Sequence, residues 1–433
     1  MREDATVSGI IDELTWRGLI AQSTDLEALS EAVDSGPITL YCGFDPTAPS
    51  LHLGNLVQIL TVRRFQLAGH LPLALVGGST GMIGDPKMAG ERTLNPVEVV
   101  EEWVARIRTQ LERFFDFDGP AAARMVNNYD WTGSVPLLEF LRDIGKHFSV
   151  NRMLDREAVA ARLAKDGISY TEFSYQLLQS FDYLNLYRDY GCTLQTGGSD
   201  QWGNITAGVD LVRRVEGASV HAMTTPLLVK ADGTKFGKTE SGTVWLDPEL
   251  TSPYAFFQFW LNADDSDVAT MLRIFSFRGR EEIDALIAET KERPQARSAQ
   301  RALASELTAL VHGEAERDAA EAAGRALFGH GDLGDLPAST LAAALQEAPH
   351  VVVPADEVSE GLLPPYDDLF ARAGLVASKS AARRTVEEGG AYVNNVRVID
   401  PAAQAAVGDL HHGEWLVLRR GKKAFAGVRV AAD

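Results

Sequence analysis

The sequence predicts an α/β protein in which a parallel-sheet domain is followed by an all-helical domain and a small α+β domain. Three observations support this order. Two apolar strand patterns, at 37–43 and 71–76, flank a segment with helical spacing from Leu53 to about Ala68, as at the beginning of a parallel α/β sheet. After Trp245 the pattern changes to helices rich in Ala, Glu and Arg. The chain then ends in two short helices followed by alternating strand patterns.

The remaining elements are predicted in chain order. Residues 8–34 form helices, and residues 95–190 are largely helical around a strand at 124–126. Residues 192–195 form a further strand, followed by a helix that starts near Asp200. The predicted domains are a parallel-sheet domain, a helical domain, a linker and an α+β domain, at 1–246, 247–328, 329–365 and 366–433.

Composition favours a soluble, cytoplasmic globular protein. Of the 433 residues 45% are hydrophobic, which is enough to bury a full core, and no run of about 18 apolar residues indicates a membrane span. Residues 1–4 are charged and no apolar segment follows them, so no secretion signal is expected. The two cysteines, Cys42 and Cys192, support neither a disulfide framework nor a cysteine zinc site.

Charge is distributed unevenly along the chain. The formal net charge of -19 opposes binding of a nucleic acid, because such binding rests mainly on Lys and Arg contacts to phosphate. Residues 361–433, however, hold ten Lys and Arg against eight Asp and Glu. The C-terminal segment is therefore the basic part of an acidic protein, and a nucleic-acid contact is expected there.

The segment His52-Leu53-Gly54-Asn55 predicts a phosphate contact at the start of a helix. The unpaired N–H groups and the positive dipole end of a helix N-terminus favour an anion, and Gly54 lets a phosphate approach the backbone. From these residues alone, an ordinary helix cap with a surface histidine is an equally good interpretation.

A second phosphate contact is predicted in the loop 229–239. Lys235 and Lys238 lie three residues apart between glycines, where their ammonium groups would neutralise a triphosphate. Taken alone, a solvated Asp-Gly hairpin turn is the more favoured interpretation. Neither this loop nor the glycine cluster at 77–84 has the spacing of a Walker A or dinucleotide-binding motif.

Polar side chains share one face of the predicted helix 171–187. Tyr175, Gln179 and Asp182 lie at i, i+4 and i+7, and a buried mid-helix aspartate needs a partner such as a phenol hydroxyl. A solvated polar face is the alternative, and for a lone helix it is the more common case.

Taken together, the motifs resemble the two signatures of class I aminoacyl-tRNA synthetases, written here as HLGN and KFGKT. Further segments, YCGFDPT at 41–47, GMIGDP at 81–86 and GGSDQWGN at 197–204, resemble the bacterial tyrosyl-tRNA synthetases within that class. The segment from Tyr366, with its SKSAARR and RRGKK runs, resembles an S4-type RNA-binding domain. The resemblance covers nearly the whole chain.

This resemblance implies a fold and an activity. The fold would be a Rossmann-like catalytic domain followed by a helical domain and an S4-like domain. The activity would be formation of tyrosyl-adenylate and pyrophosphate from L-tyrosine and ATP, followed by transfer of tyrosine to the 3′ adenosine of tRNA(Tyr). Mg²⁺ would accompany the ATP without a dedicated protein site, and the protein would be a cytoplasmic homodimer.

The resemblance also implies four sets of site residues. The catalytic set is Thr47, His52, Asn55, Lys235, Lys238 and Thr239. The tyrosine-binding set is Tyr41, Asp85, Tyr175, Gln179, Asp182 and Gln195, of which Tyr41 and Asp182 would bind the phenol. The ATP-binding set is Gly43, Asp45, Gly54, Asp200, Gln201 and Lys238. The tRNA-binding set is Arg92, Arg383, Arg384, Arg419, Arg420, Lys422 and Lys423.

Two positions depart from the family pattern. Asn55 stands where a second histidine is common; it keeps a donor but cannot be protonated. The loop 85–92 is one residue shorter than the pattern, which affects the expected tRNA contact of Lys87 more than that of Arg92.

Three alternative functions are compatible with parts of the sequence. Tryptophanyl-tRNA synthetases share the fold and signatures, but Asp182 with Tyr41, and the S4-like segment, oppose that assignment. An RNA-binding or splicing factor that has lost catalysis is opposed by the complete set of site residues. A small-molecule nucleotidyltransferase with the same H-x-G-[HN] turn is opposed by the lysine loop, the helical domain and the RNA-binding module.

Overall fold

The computed structural model describes residues 9–86, 90, 93–165, 167–229, 231, 233–234, 236–239, 242–422 and 424–431, and for residues 157, 158, 238 and 239 it describes the backbone only. The chain divides into two compact units. The first unit is Met1–Asp247 with Asp265–Ile287, and the second is Pro248–Asp264 with Ala288–Asp433. The observed division differs from the predicted boundary after residue 246, because Asp265–Ile287 belongs to the parallel-sheet unit.

A six-stranded sheet lies at the centre of the first unit and confirms the predicted α/β class. Its strands are β1 (Gln22–Ser23), β2 (Thr39–Phe44), β3 (Leu71–Val76), β4 (Arg124–Asn127), β5 (Cys192–Gly198) and β6 (His221–Thr225). They lie in the order β1-β6-β5-β2-β3-β4, and every neighbouring pair is parallel except β1 with β6. Strand β3 buries five of its six residues, which is the pattern of a parallel strand that packs on both faces.

Eleven described helices accompany this sheet before residue 217. They are α1 (Ile10–Arg17), α2 (Leu26–Asp34), α3 (Leu53–Leu67), α4 (Gly78–Ile83), α5 (Val97–Leu111), α6 (Tyr129–Thr132), α7 (Leu137–Glu139), α8 (Val150–Leu154), α9 (Glu157–Leu163), α10 (Tyr170–Tyr190) and α11 (Trp202–Glu216). Helix α10 begins where the Ser169 side chain accepts a hydrogen bond from the Glu172 N–H, and it ends at Gly191 with a φ of 61°. A short hairpin, β7 (Lys238–Thr239) and β8 (Gly242–Thr243), follows.

The remaining helices confirm the predicted change to helical structure after Trp245. They are α12 (Pro253–Leu261), α13 (Val268–Phe275), α14 (Arg280–Glu292), α15 (Ser298–His312), α16 (Glu314–Leu327), α17 (Ala338–Glu347), α18 (Tyr366–Arg372) and α19 (Lys379–Glu387). No helix in the described ranges has both the length and the apolar character needed to cross a bilayer.

The second unit ends in a five-stranded sheet. Its strands are β9 (His350–Val353), β10 (Ala391–Val393), β11 (Val396–Arg397), β12 (Trp415–Arg420) and β13 (Ala424–Val430), in the order β11-β10-β12-β13-β9. Strand β9 pairs in parallel with β13. The segment 329–365, predicted to be a linker with one short helical stretch, therefore differs from the prediction because it also supplies an edge strand of this sheet.

Candidate active site

Polar side chains collect at the carboxyl ends of the parallel strands, which is where open α/β sheets bind ligands. Asp45 directly follows β2, and its carboxylate accepts hydrogen bonds from Thr80 Oγ1 at 2.6 Å and from Tyr175 Oη at 2.6 Å. Gly77 directly follows β3, and a Cβ atom at that position would lie 2.0 Å from Asp45 Oδ1. The aspartate can occupy this position because residue 77 is glycine.

A chain of hydrogen bonds continues from Thr80 to Asp182 in the middle of α10. Asn128 follows β4, is fully buried, and donates from Nδ2 to Thr80 Oγ1 at 2.9 Å and to Asp182 Oδ2 at 3.0 Å. Trp131 Nε1 donates to Asp182 Oδ1 at 2.8 Å. Both carboxylate oxygens thus have a donor, as a buried carboxylate requires. Asp45 and Asp182 belong to one hydrogen-bonded network.

The carboxyl group of Asp182 has an unusual proton affinity. Burial raises the pKa of Asp182 to about 7, against the opposing effect of the hydrogen bonds from Asn128 and Trp131. Repulsion from Asp45 adds to the rise. A buried carboxyl that changes its charge near neutral pH is typical of a functional site.

Three side chains around this network keep a buried polar atom with no hydrogen-bond partner in the described part of the chain. These atoms are Tyr41 Oη, Gln179 Oε1 and Gln195 Oε1. Tyr41 in β2 pairs with Gln195 in β5, and Gln179 lies one turn before Asp182 on α10. Burial, and after it the charge of Asp182, raise the pKa of the Tyr41 hydroxyl, so this group remains protonated. Because buried polar atoms normally have partners, these atoms indicate a ligand with polar groups of its own.

A second carboxylate, Asp85, lies in a further polar cluster close enough to Tyr175 to interact with it electrostatically. Gln201 Nε2 donates to its Oδ2 at 2.8 Å, and Asn204 Nδ2 donates to its Oδ1 at 3.1 Å. The guanidinium of Arg156 is 3.9 Å from Asp85 Oδ1. Asp200, predicted with Gln201 to bind ATP, is exposed. No group of three or more His, Cys, Asp or Glu side chains in the described ranges is placed to hold a metal ion.

The turn His52-Leu53-Gly54-Asn55 forms the N-terminus of α3 and is a helix cap as well as a candidate anion site. His52 Nδ1 accepts from the Gly54 N–H at 3.0 Å, and Asn55 Oδ1 accepts from the His52 N–H at 3.0 Å. Because Nδ1 is the acceptor, the ring proton of the neutral histidine lies on Nε2. A Cβ atom at Gly54 would lie 2.8 Å from the His52 ring, so glycine is required for this packing.

Backbone hydrogen bonds join this turn to the lysine loop. The Leu53 N–H donates to the Val244 carbonyl at 3.2 Å, and the Val244 N–H donates to the Gly237 carbonyl at 3.0 Å. Gly237 has a φ of 77°, and a Cβ atom there would lie 3.2 Å from Leu53 Cβ. The backbones of the two predicted phosphate-binding segments are therefore neighbours.

Several predicted site residues cannot be placed with the others. Lys235, Arg92 and Lys423 lie outside the described residues, and only the backbone of Lys238 and Thr239 is described.

Comparison with known proteins identifies the family. Residues 34–329 match the model of "tRNA synthetases class I (W and Y)". The chain belongs to this family. Residues 343–428 match a second model, "Tyrosine--tRNA ligase SYY-like C-terminal domain". This match begins within α17, before the domain start predicted at residue 366.

Individual relatives agree with the family models. The tyrosine–tRNA ligases of Streptomyces avermitilis and Streptomyces coelicolor are 65% and 64% identical to the chain over 426 residues, 98% of this chain and 99% of each relative. A C-terminally truncated mitochondrial tyrosyl-tRNA synthetase of Aspergillus nidulans is similar in structure, with a TM-score of 0.67 at 30% identity over 73% of this chain and 94% of that chain. The resemblance inferred from the motifs is confirmed.

The C-terminal basic residues predicted to contact tRNA in this synthetase differ in exposure. Four of them are exposed, namely Arg383, Arg384, Arg420 and Lys422. Arg383 forms an ion pair with Asp367 at 2.7 Å, and Arg420 donates a hydrogen bond to the Leu375 carbonyl at 2.7 Å. The exposed fraction of Arg419 is only 7%. The structure therefore differs from the prediction at Arg419, which does not lie on the surface with the others.

Five residues of this synthetase site are not among those predicted from the sequence, namely Thr80, Asn128, Trp131, Arg156 and Asn204. A positional signal existed for Asn128 and Thr80, because both follow parallel strands at their carboxyl ends. Asn204 lies in the quoted motif at 197–204, whereas Trp131 and Arg156 are recognised only from their contacts in the folded chain.

Proposed function

We propose that the chain is a tyrosine–tRNA ligase, which converts L-tyrosine and ATP to tyrosyl-adenylate and pyrophosphate and then transfers the tyrosyl group to the 3′ adenosine of tRNA(Tyr). Relatives 65% and 64% identical over almost the full length carry this name. The observation that carries the proposal is the buried pair of Tyr41 and Asp182, a protonated hydroxyl with no described partner beside a carboxyl oriented by Asn128 and Trp131.

This pair suits the phenol end of tyrosine. A phenol hydroxyl donates one hydrogen bond and accepts others, so it can donate to Asp182 and accept from Tyr41. Phenylalanine would leave the Tyr41 hydroxyl without a partner in a buried site, and Asp182 would lose the hydrogen bond from the substrate. Tyrosyl-tRNA synthetase is itself the standard example of discrimination by this means, without an editing site.

The ammonium end of the substrate is assigned to Tyr175, Gln179 and Asp85. Support comes from the hydrogen bond that fixes Tyr175 to Asp45, from the unpartnered Gln179 Oε1, and from the negative charge of Asp85. Gln195 is assigned to the side of the same pocket, next to Tyr41.

The adenylation step needs no side-chain nucleophile. The tyrosine carboxylate attacks the α-phosphorus of ATP, a P–O bond forms, and the bond to pyrophosphate breaks with the electron pair leaving on pyrophosphate. His52 Nε2–H and the Asn55 amide would donate to the α- and β-phosphates, and Thr47 would contact the γ-phosphate. Lys235 and Lys238 would neutralise the departing pyrophosphate. Catalysis is therefore positioning and charge stabilisation.

The remaining ATP contacts lie around this turn. The ATP contacts are assigned to Gly43, Asp45, Gly54, Asp200 and Gln201, of which Gly43, Gly54 and Asp200 are exposed. Thr239 would complete the lysine loop. Mg²⁺ would accompany ATP as a counter-ion of its phosphates, and no protein ligand is assigned to it.

The C-terminal α+β domain is proposed to bind tRNA. Its exposed cations Arg383, Arg384, Arg420 and Lys422 lie in the segment 361–433, which holds ten Lys and Arg against eight Asp and Glu. Lys423 and Arg92 are assigned to the same partner from the sequence alone. The domain plan of a catalytic, a helical and an RNA-binding domain is retained, with the last beginning near residue 343.

A homodimer is proposed because apolar side chains lie exposed between α6 and α8. Leu137 and Leu138 expose 70% and 79% of their surface, and Val150 exposes 58%. A second copy of the chain would bury such a patch in a symmetric contact. The Streptomyces relatives are bacterial, and we place the reaction in the cytoplasm, where bacterial translation occurs.

Amino-acid-dependent pyrophosphate exchange tests the activity. Purified protein is incubated with ATP, labelled pyrophosphate and each of the amino acids in turn. We expect tyrosine to support exchange, and phenylalanine and tryptophan to give no more than background. Exchange driven by tryptophan would assign the chain to the other specificity of its family, and absence of exchange with every amino acid would show that catalysis has been lost.

A further inference from the structure

The turn between β10 and β11 makes contacts outside its own sheet. Asn394 and Asn395 connect the paired residues Val393 and Val396, and their φ angles are 46° and 65°. Two positive φ angles define a type I′ hairpin turn, for which Asn-Gly is a favoured sequence. The backbone therefore does not require an asparagine side chain at residue 395.

The Asn395 side chain contacts the end of a helix in the same compact unit. Its Nδ2 donates to the Ala326 carbonyl at 2.7 Å, and its Oδ1 accepts from Arg419 Nε at 3.1 Å. Ala326 lies in the last turn of α16, where carbonyl groups lack the usual partners within the helix. The same carbonyl also accepts from the Gly329 N–H at 3.0 Å. Asn395 therefore helps to cap the C-terminus of α16.

Arg419 completes this contact and makes two further interactions within the C-terminal domain. Its Nη1 donates to the Gly421 carbonyl at 2.5 Å, and its guanidinium lies 4.0 Å from the centroid of the Tyr392 ring. A Cβ atom at Gly329, which has a φ of 87°, would lie 2.9 Å from Arg419 Nη2. A cation at the C-terminus of a helix is also favoured by the helix dipole.

Two further contacts join the same segments. The rings of Phe328 and Phe425 meet edge to face with their centroids 5.3 Å apart, and His412 Nε2 lies 2.8 Å from the Leu336 carbonyl oxygen. Residues that follow α16 are thus held by side chains of the C-terminal sheet domain at several points.

We propose that Tyr392, Asn395, Arg419 and Phe425 form a docking patch that fixes the C-terminal α+β domain on the end of α16. Arg419 acts in this docking and does not contact RNA. The consequence for tRNA rests on the proposed function, because the docked domain carries the exposed cations assigned to tRNA. A domain that is already oriented loses less conformational freedom when it binds, so the docking patch favours tRNA affinity.

Replacing each asparagine of the turn by glycine gives a matched pair of full-length variants. Asn395→Gly keeps the turn, because glycine accepts positive φ, and deletes both hydrogen bonds of the docking patch. Asn394→Gly also deletes two side-chain hydrogen bonds, to the Asp409 carbonyl and from the Val417 N–H, but both lie within the C-terminal domain. The pair therefore separates docking from turn stability.

The rate of hydrogen–deuterium exchange in the peptide that follows α16 measures the docking directly. The amides of Phe328, Gly329 and His330 donate to carbonyls of the last helical turn. We expect them to exchange about tenfold faster in Asn395→Gly, as two lost hydrogen bonds allow, and within about twofold of the unsubstituted protein in Asn394→Gly. Unchanged exchange in Asn395→Gly, or equal acceleration in both variants, would overturn the docking patch.

A charge-conserving variant separates docking from RNA contact. Arg419→Lys keeps the cation but loses the planar stacking and the Nε–H bond. If Arg419 acts in docking, Arg419→Lys and Asn395→Gly should each raise the KM for tRNA several-fold. The double variant should have a KM no higher than that of either single variant. Tyrosine-dependent pyrophosphate exchange should be unchanged in all three. A KM unaffected by both substitutions would overturn the effect on tRNA. Absence of pyrophosphate exchange in the unsubstituted protein would refute the proposed function but not the docking patch, because the hydrogen–deuterium measurement needs neither catalysis nor tRNA.

Discussion

The ionisation of Asp182 makes the choice between tyrosine and phenylalanine depend on pH. The pKa of this carboxyl is raised to about 7, so lowering the pH through neutrality adds a proton to the group proposed to accept the phenol hydrogen bond. With such a pKa, the ionised fraction is about 0.9 at pH 8 and about 0.1 at pH 6. The ratio of kcat/KM for tyrosine to kcat/KM for phenylalanine should therefore fall about tenfold between these two pH values.

Pyrophosphate exchange with the two amino acids across this pH range measures that ratio. Groups that act on ATP, such as His52, affect both substrates alike and cancel in the ratio. Trp131→Phe removes one hydrogen bond that favours the ionised form, so the pKa of Asp182 rises and the midpoint of the profile moves to higher pH. Asp182→Asn cannot ionise and should give a flat profile.

Two results would refute this reasoning about Asp182. One is a ratio that stays constant between pH 6 and pH 8 in the unsubstituted protein. The other is a midpoint that moves to lower pH in Trp131→Phe.

Three further predictions concern other parts of the site. Tyr41→Phe deletes a buried hydroxyl with no described partner, so the free energy of unfolding should change by less than about 1 kcal/mol while discrimination against phenylalanine falls about tenfold; a large loss of stability in a denaturation experiment would contradict this. Gly77→Ala puts a Cβ atom 2.0 Å from Asp45 Oδ1, so it should lower the free energy of unfolding by about 1–3 kcal/mol and lower kcat/KM for adenylation. If the activity and the melting temperature stay as in the unsubstituted protein, the Asp45 carboxylate is not needed at this position. Lys238→Ala should reduce the adenylation rate far more than tyrosine affinity in single-turnover experiments, and equal losses would make the lysine structural.

Strands and helices were predictable where the local pattern was strong. The apolar runs of β2 and β3 and the helical spacing of α3 are visible in the sequence because most residues of these elements are buried. Strand β9 was missed because its four residues are stabilised by pairing with β13, more than 70 residues further along the chain.

The residues of the candidate site were also predictable only in part. The role of Asp182 follows from the family resemblance, with helix spacing as support, but the donors that hold it, Asn128 and Trp131, lie more than 50 residues away in sequence and carry no motif. The basic run at Arg419 and Arg420 suggested that both side chains lie on one tRNA-binding surface. Arg419 is instead covered by the Tyr392 ring and the Asn395 side chain, whereas Arg420, the last residue of β12, is exposed.

Aminoacylation of tRNA tests the central claim most directly. Purified full-length protein is incubated with total bacterial tRNA, ATP and each labelled amino acid, and the label attached to RNA is measured. The proposed function predicts that tyrosine alone becomes attached, and only to the tRNA that accepts tyrosine. Attachment of tryptophan, or tyrosine-dependent pyrophosphate exchange without any transfer to tRNA, would contradict it.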